Sequence, residues 1–170
     1  IYMTYAMPLS LGVCGERECM DIRLLEEIPL DQIPQKLNAH LPRDLRVLEA
    51  SEPVEKFEDI QYGDYELFLE TETPEVLEKK LDNLLNRETI LVHKHTKKGD
   101  RDVDIKPDFA QVTIEGKNTG LLLTMRLPCS MSGSINPALL LEALKQYEGE
   151  EPFYTITRKR LLLKDFSELR

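Results

Sequence analysis

The sequence contains few cysteines and no long apolar run. Its three cysteines, Cys14, Cys19 and Cys129, are an odd number and form no C-x-x-C pair, whereas small secreted disulfide scaffolds normally carry an even and denser set. No apolar stretch approaches the roughly 18 residues that a membrane span needs, and no signal peptide opens the chain. We therefore predict a soluble protein of the reducing cytoplasm, with free thiols rather than a zinc pair at Cys14 and Cys19.

The common catalytic signatures are also missing. The chain has no Walker loop, Rossmann glycine pattern or nucleophile elbow, so nucleotide hydrolysis, dinucleotide redox chemistry and serine hydrolysis have no motif support. It also lacks the signatures of RRM and KH domains. We predict a non-catalytic chain without a cofactor of its own, and an enzyme in its own right is the least supported class.

Charge is distributed unevenly over the 170 residues, whose net charge is −9. Residues 1–90 hold 9 basic and 20 acidic side chains, whereas residues 91–170 hold 13 and 11. The second half is therefore the half that could face an anion, and any contact with nucleic acid should be local.

Hydrophobic periodicity shows the order hairpin, helix, strand twice. The first copy has predicted strands at 2–11 and 19–25, a helix at about 31–41 and a strand at 45–50. The second has a strand at 65–71 and a helix at 74–87, then strands at 109–115 and 121–127, a helix from 137 to about 147 and a strand at 154–163.

This order predicts an α+β fold of two ferredoxin-like (βαββαβ) modules, the first without its opening strand and helix. The predicted division is a partial module at 1–52, a linker at 53–63 and a second module at 64–170 with an inserted basic hairpin at 90–106. Because Ile1 falls within a predicted strand, we expect the missing elements upstream. One irregular α+β domain is the alternative.

Five stretches carry a family resemblance: MPLSLGV, MDIRLLE, LDQIPQKLNAHLPRDLRVLEA, HTKKGDRDVDIKP and NPALLLEAL. Together they resemble the radical SAM-linked domain family (DUF2344) over nearly the whole chain. The resemblance implies a bacterial cytoplasmic protein that is fused to, or encoded beside, a radical SAM enzyme. That enzyme would carry the iron-sulfur cluster and S-adenosylmethionine, because its cluster needs three cysteines in C-x-x-x-C-x-x-C and only C-x4-C exists here.

The stretch HKHTKKGDRDVDIKP at 93–107 concentrates five Lys or Arg, two His and three Asp. It predicts a hairpin with a turn at 97–100, in which Thr96 pairs with Arg101 and His93 with Asp104. We favour a solvated ribbon whose opposite charges pair with each other. A divalent metal site at His93, His95, Asp102 and Asp104 is a weaker alternative.

A phosphate-binding surface is the third interpretation of the same stretch. Strand alternation would place Arg158 and Arg160 of the last strand on one face, where they could join the basic residues of the hairpin. The predicted nucleic-acid-binding residues are Lys94, Lys97, Lys98, Arg101, Lys106, Arg158 and Arg160.

These observations together predict an accessory domain of a radical SAM enzyme, one that binds or presents RNA for modification. A protein-docking module for the same partner is the alternative, in which the acidic first half engages a basic surface. No membrane contact is expected.

Overall fold

The computed structural model describes residues 2–96 and 99–169. The helices of this part of the chain are α1 (Ile33–Asn38), α2 (Pro74–Leu85) and α3 (Ala138–Glu148). Its strands are β1 (Tyr2–Tyr5), β2 (Val13–Gly15), β3 (Met20–Arg23), β4 (Ile60–Glu70), β5 (Leu91–Thr96), β6 (Gly99–Asp104), β7 (Val112–Lys117), β8 (Gly120–Ser130), β9 (Gly133–Ser134) and β10 (Tyr154–Leu163). The fold is α+β, as predicted.

One large sheet organises the molecule. Its strands run in the order β2-β10-β4-β8-β7, and β9 adds to the end of β8. Neighbours are antiparallel except for β2, which pairs in parallel with β10 at the edge of the sheet. Two separate ribbons, β1 with β3 and β5 with β6, lie outside this sheet.

The main core lies between the sheet and helices α2 and α3. Leu77, Leu81 and Leu84 recur at the spacing that places them on one face of α2, and all three are buried. They share one cluster with leucines of α3, β4 and β8. Both helices therefore cover the same face of the sheet, and we call the opposite face the open face.

Several predicted elements are confirmed. The last predicted strand coincides with β10. The helix α2 begins at Pro74, where proline is tolerated because the N–H groups of the first helical turn have no intrahelical acceptor. At the start of α3, the Ala138 amide donates to Asn136 Oδ1 at 3.0 Å.

The strand predicted at 45–50 is wrong, because these residues form no strand. The Val47 amide donates to Asn38 Oδ1 at 2.8 Å, and Asn38 Nδ2 donates to the Val47 carbonyl at 2.9 Å. One side chain thus satisfies both backbone groups that a neighbouring strand would otherwise bind.

The first predicted hairpin is present but shorter than expected. β1 pairs with β3, and the connection between them contains β2, which extends the large sheet. β4 begins at Ile60, inside the segment expected to be a linker. The division of the chain into two modules stays a prediction.

Among the described residues, no helix combines the length and the apolarity required to cross a membrane.

Candidate functional site

The basic hairpin forms with a register two residues away from the predicted one. Thr96 pairs with Gly99 rather than Arg101, and His93 pairs with Asp102 rather than Asp104. Gly99 belongs to β6 and has a φ of +112°, which glycine adopts without strain. A shift of two preserves the alternation, so the predicted faces are unchanged.

The predicted phosphate-binding residues of the β5–β6 hairpin lie in different environments. Arg101 is exposed and forms no salt bridge within the described part of the chain. Lys106 is half-buried, and its ammonium donates to the Leu85 carbonyl at the end of α2. Lys97 and Lys98 lie outside the described residues, as does the Lys94 side chain.

The structure describes three of the four side chains of the alternative metal site. His93 Nδ1 lies 2.9 Å from Asp102 Oδ1. Asp104 Oδ1 instead accepts the Ile90 and Lys106 amides at 2.8 and 3.0 Å. The His95 side chain is outside the described residues, and no group of three potential ligands is found among those that are described.

The expectation that Arg158 and Arg160 share a face is wrong. Arg158 lies opposite Tyr65, whereas Arg160 lies opposite Asp64, so Lys159 is an extra residue in β10. This β-bulge interrupts the alternation of two. As a result, Arg158 points to the covered side of the sheet and is 2% exposed, while Arg160 is on the open face.

Arg158 forms a buried polar cluster. Its Nε and Nη2 donate to the two oxygens of Glu18 at 2.9 and 2.5 Å, and Nη2 also donates to the Met7 carbonyl at 2.7 Å. Burial lowers the pKa of Arg158, but its hydrogen bonds to Glu18 outweigh that effect and raise the pKa overall. A Cβ at Gly15 would lie 2.6 Å from Glu18 Cγ, so glycine lets Glu18 reach this position.

A small cavity of about 50 Å³ adjoins this cluster. Arg158, Tyr65 and Cys129 line it together with residues that precede α3. Burial raises the pKa of Tyr65, which therefore stays a neutral phenol. The volume suits one or two water molecules. The hydrogen bonds from Arg158 to Glu18 and Met7 connect the segment around β2 to β10.

The open face carries a second cluster, centred on Asp64. Arg126 donates through Nε to Oδ1 at 2.7 Å and through Nη2 to Oδ2 at 3.1 Å, and Arg160 Nε donates to Oδ2 at 2.9 Å. Burial raises the pKa of Asp64, but the hydrogen bonds from both arginines lower it more, so the pKa falls overall. One carboxylate thus holds two guanidinium groups side by side.

Lys159 does not join this arginine pair. It forms ion pairs with Glu16 and, at 3.2 Å, with Glu66. The structure therefore separates the three basic residues of β10: one is buried, one is held by carboxylates, and one faces the open sheet.

Sequence reasoning missed Glu18, Asp64 and Arg126. Asp64 and Arg126 alternate with buried residues in β4 and β8, which marks each as facing away from the core. Their meeting required the pairing of Asp64 with Arg126 across strands 62 residues apart. Glu18 gave no signal, because its partner Arg158 was expected to be exposed.

Comparison with known proteins gives one match. A family model described as "Uncharacterized protein conserved in bacteria (DUF2344)" matches residues 1–137. No curated protein and no solved structure shows significant similarity to the chain.

Proposed function

The chain belongs to the family of uncharacterized bacterial proteins DUF2344, and we propose that it is a non-catalytic accessory module that docks onto a radical SAM enzyme. The resemblance described from the sequence suggests this partner. The geometry favours docking because, within the described part of the chain, one apolar face of the β1–β3 ribbon is exposed.

The β1–β3 ribbon carries the proposal. Met3 pairs with Ile22 and Tyr5 with Met20, and strand alternation places these four apolar side chains on one face. We call this set the ribbon face. Tyr5 is 65% exposed and Met3 52% exposed. The other face, with Tyr2, Thr4, Asp21 and Arg23, is more polar.

An uncovered ribbon face is unfavourable for an isolated protein. Two-stranded ribbons are marginally stable in water unless a further strand or a packed layer supports them. Exposed apolar surface of this kind marks protein interaction sites. A partner that covers Met3 and Tyr5 would remove this surface from water.

The surroundings of the ribbon indicate the chemistry of that partner. Residues 2–54 hold nine acidic and five basic side chains. Glu26 and Glu27, just after β3, are exposed. The ribbon face therefore fits an apolar patch bordered by basic residues, and charge complementarity of this type increases association rates and specificity.

A binding experiment on the ribbon face tests the proposal. A candidate radical SAM enzyme is immobilised, and retention is measured at about 0.5 M salt, where surface charges are screened. The variant Met3→Glu, Tyr5→Glu should not be retained. The matched control Tyr2→Glu, Thr4→Glu changes the opposite face of the same strand and should bind like the original protein.

Equal retention of both variants would contradict the proposal. Elution of the free protein as a dimer that Met3→Glu, Tyr5→Glu dissociates would assign the ribbon face to a second copy and would also overturn it.

RNA binding through the β5–β6 hairpin is the second candidate function. The exposed Arg101, which has no salt bridge among the described residues, favours it. Replacing Lys97, Lys98 and Arg101 with Glu should abolish a salt-dependent shift of bulk tRNA, because each phosphate contact contributes about 0.7 to the salt slope for single strands. No shift with the original protein would end this candidate.

We also infer that residues 60–163 form a ferredoxin-like unit. The antiparallel order β10-β4-β8-β7 supports this, as does the placement of α2 and α3 against one shared core. In the first 52 residues, the strand predicted at 45–50 is missing, and a second such unit stays a prediction.

A further inference from the structure

The open face of the large sheet contains a concave space of about 590 Å³. Asp64, Glu66, Thr113, Thr124, Arg126 and Arg160 contribute to its lining. This volume is within the range of small-molecule sites, which is about 300 to 1,000 Å³. Its position, on the side of the sheet away from α2 and α3, separates it from the main core.

The arginine pair is the strongest feature of this space. A guanidinium group has about five N–H donors. Arg126 uses two N–H groups on Asp64 and Arg160 uses one. Most of the remaining donors have no acceptor in the described part of the chain. The side chains of Arg126 and Arg160 are 37% and 47% exposed, so a ligand can reach them.

The positive charge is concentrated around Asp64 and is not an excess over the whole surface. Two arginines share the single carboxylate of Asp64, whereas Lys159 faces two carboxylates, Glu16 and Glu66. Arg17, also at the rim, pairs with Glu168 at 2.9 Å. An anion would therefore meet Arg126 and Arg160, because these two share one carboxylate, whereas Lys159 has two and Arg17 has one of its own.

Phe166 provides an independent sign that this position is specialised. It has a φ of +66°, in the left-handed region that bulky side chains rarely adopt. Its ring packs against Arg126, with the guanidinium carbon 4.6 Å from the ring centre, and lies 5.1 Å from the ring of Tyr62. Strained residues of this kind concentrate at functional sites, where neighbouring contacts hold them.

We propose that Arg126 and Arg160 bind a phosphate group of single-stranded RNA or of a mononucleotide. Planar guanidinium groups form paired hydrogen bonds with phosphate oxygens. Phe166 is a positioning residue that fixes the plane of Arg126, and its half-exposed ring together with Tyr62 offers an apolar surface beside the phosphate. A nucleotide combines a phosphate with such a planar ring. The site is independent of the ribbon face.

Fluorescence anisotropy with a 5′-labelled eight-nucleotide RNA at low salt tests this site. The variant Arg126→Gln, Arg160→Gln should weaken binding about tenfold or more, since each paired contact to a charged group is worth about one such factor. The control Lys79→Gln, Lys145→Gln removes the same charge from the helix layer and should have little effect. Competition with adenosine monophosphate then distinguishes the two sources: displacement of the RNA identifies a mononucleotide site, and its failure identifies a strand site.

Phe166→Gly separates positioning from folding. Glycine accepts a positive φ without strain, which offsets the lost ring contacts and the larger entropy of the unfolded chain, so the melting temperature should change little. RNA affinity should nevertheless fall several-fold, because Arg126 loses the ring that orients it.

Several outcomes would overturn the proposal. One is unchanged RNA affinity in Arg126→Gln, Arg160→Gln while the hairpin charge reversal abolishes binding, which would move RNA to the hairpin. A second is that the original protein binds a phosphopeptide but binds neither RNA nor the mononucleotide.

Discussion

Residues 2–54 and residues 60–169 differ in how they are stabilised. Of the 27 buried apolar side chains described, 24 lie in the second region and only Ala6, Met7 and Ile33 in the first. The second region therefore has a core large enough to hold its own fold. The first relies on β2 pairing with β10, on the buried contact between Glu18 and Arg158, and on a small cluster in which Ala6 and Met7 pack with residues of the second region. Its attachment is local, and the ribbon face remains exposed.

A leucine truncation in each region should produce the largest contrast. Leu123 is fully buried in β8, and Leu123→Ala should lower the free energy of unfolding by about 4 kcal/mol, through lost burial and a remaining cavity. Leu48 is 69% exposed, and Leu48→Ala should change it by less than about 0.5 kcal/mol. Urea unfolding measures both. A large loss at Leu48 would mean that the first region has a core of its own.

Removing the charge of Glu18 should have the next largest effect. Glu18→Gln leaves the buried Arg158 without its counterion, and we expect a loss of about 3 kcal/mol, at the lower end for buried pairs because Glu18 is partly exposed. Glu16→Gln, two residues earlier, affects only the ion pair with Lys159 at the surface and should change little. Thermal unfolding of both variants measures the effect. Equal losses of stability in the two variants would contradict a stabilising role for the buried ion pair between Glu18 and Arg158.

The pH dependence of Asp64 should give the smallest effect. Its pKa in the folded protein lies below the ordinary value of 3.8. A carboxylate with a depressed pKa stabilises the fold above its ordinary pKa, and this contribution is lost as the pH falls through the folded value. The stability difference between the original protein and Asp64→Asn should therefore be constant above pH 3.8 and shrink below it. Because solvent screens these side chains, the stability difference between the two proteins should not exceed about 1 kcal/mol.

Melting curves recorded from neutral pH to about pH 3 would show this change. A difference that grows on acidification would contradict the proton linkage assigned to Asp64.

Much of the secondary structure of the second region could be predicted from the sequence, because it depends on local patterns of apolar residues. The apolar spacing of Leu77, Leu81 and Leu84 predicts α2, and the run ending at Leu163 predicts β10. The strand predicted at 45–50 failed since Asn38, a residue with no strand signal of its own, binds the Val47 backbone. Local patterns do not record which distant group will satisfy a backbone amide.

The sites were predictable only in part. A cluster of basic residues drew attention to Arg160, but not to Asp64 and Arg126, which meet it through strand pairing. Arg158 was misplaced for the opposite reason. Simple alternation was assumed across Lys159, and a β-bulge is not visible in a period of two.

The extra residue in β10 also has a consequence for how this chain can change in length. If Lys159 were deleted, Arg158 would still face Tyr65 and Arg160 would still face Asp64, because the strand would only lose its bulge. A deletion between Tyr154 and Thr157 would instead shift every inward side chain outward unless a second irregularity compensated for it. In related chains, gaps within this strand should therefore collect at the position of Lys159.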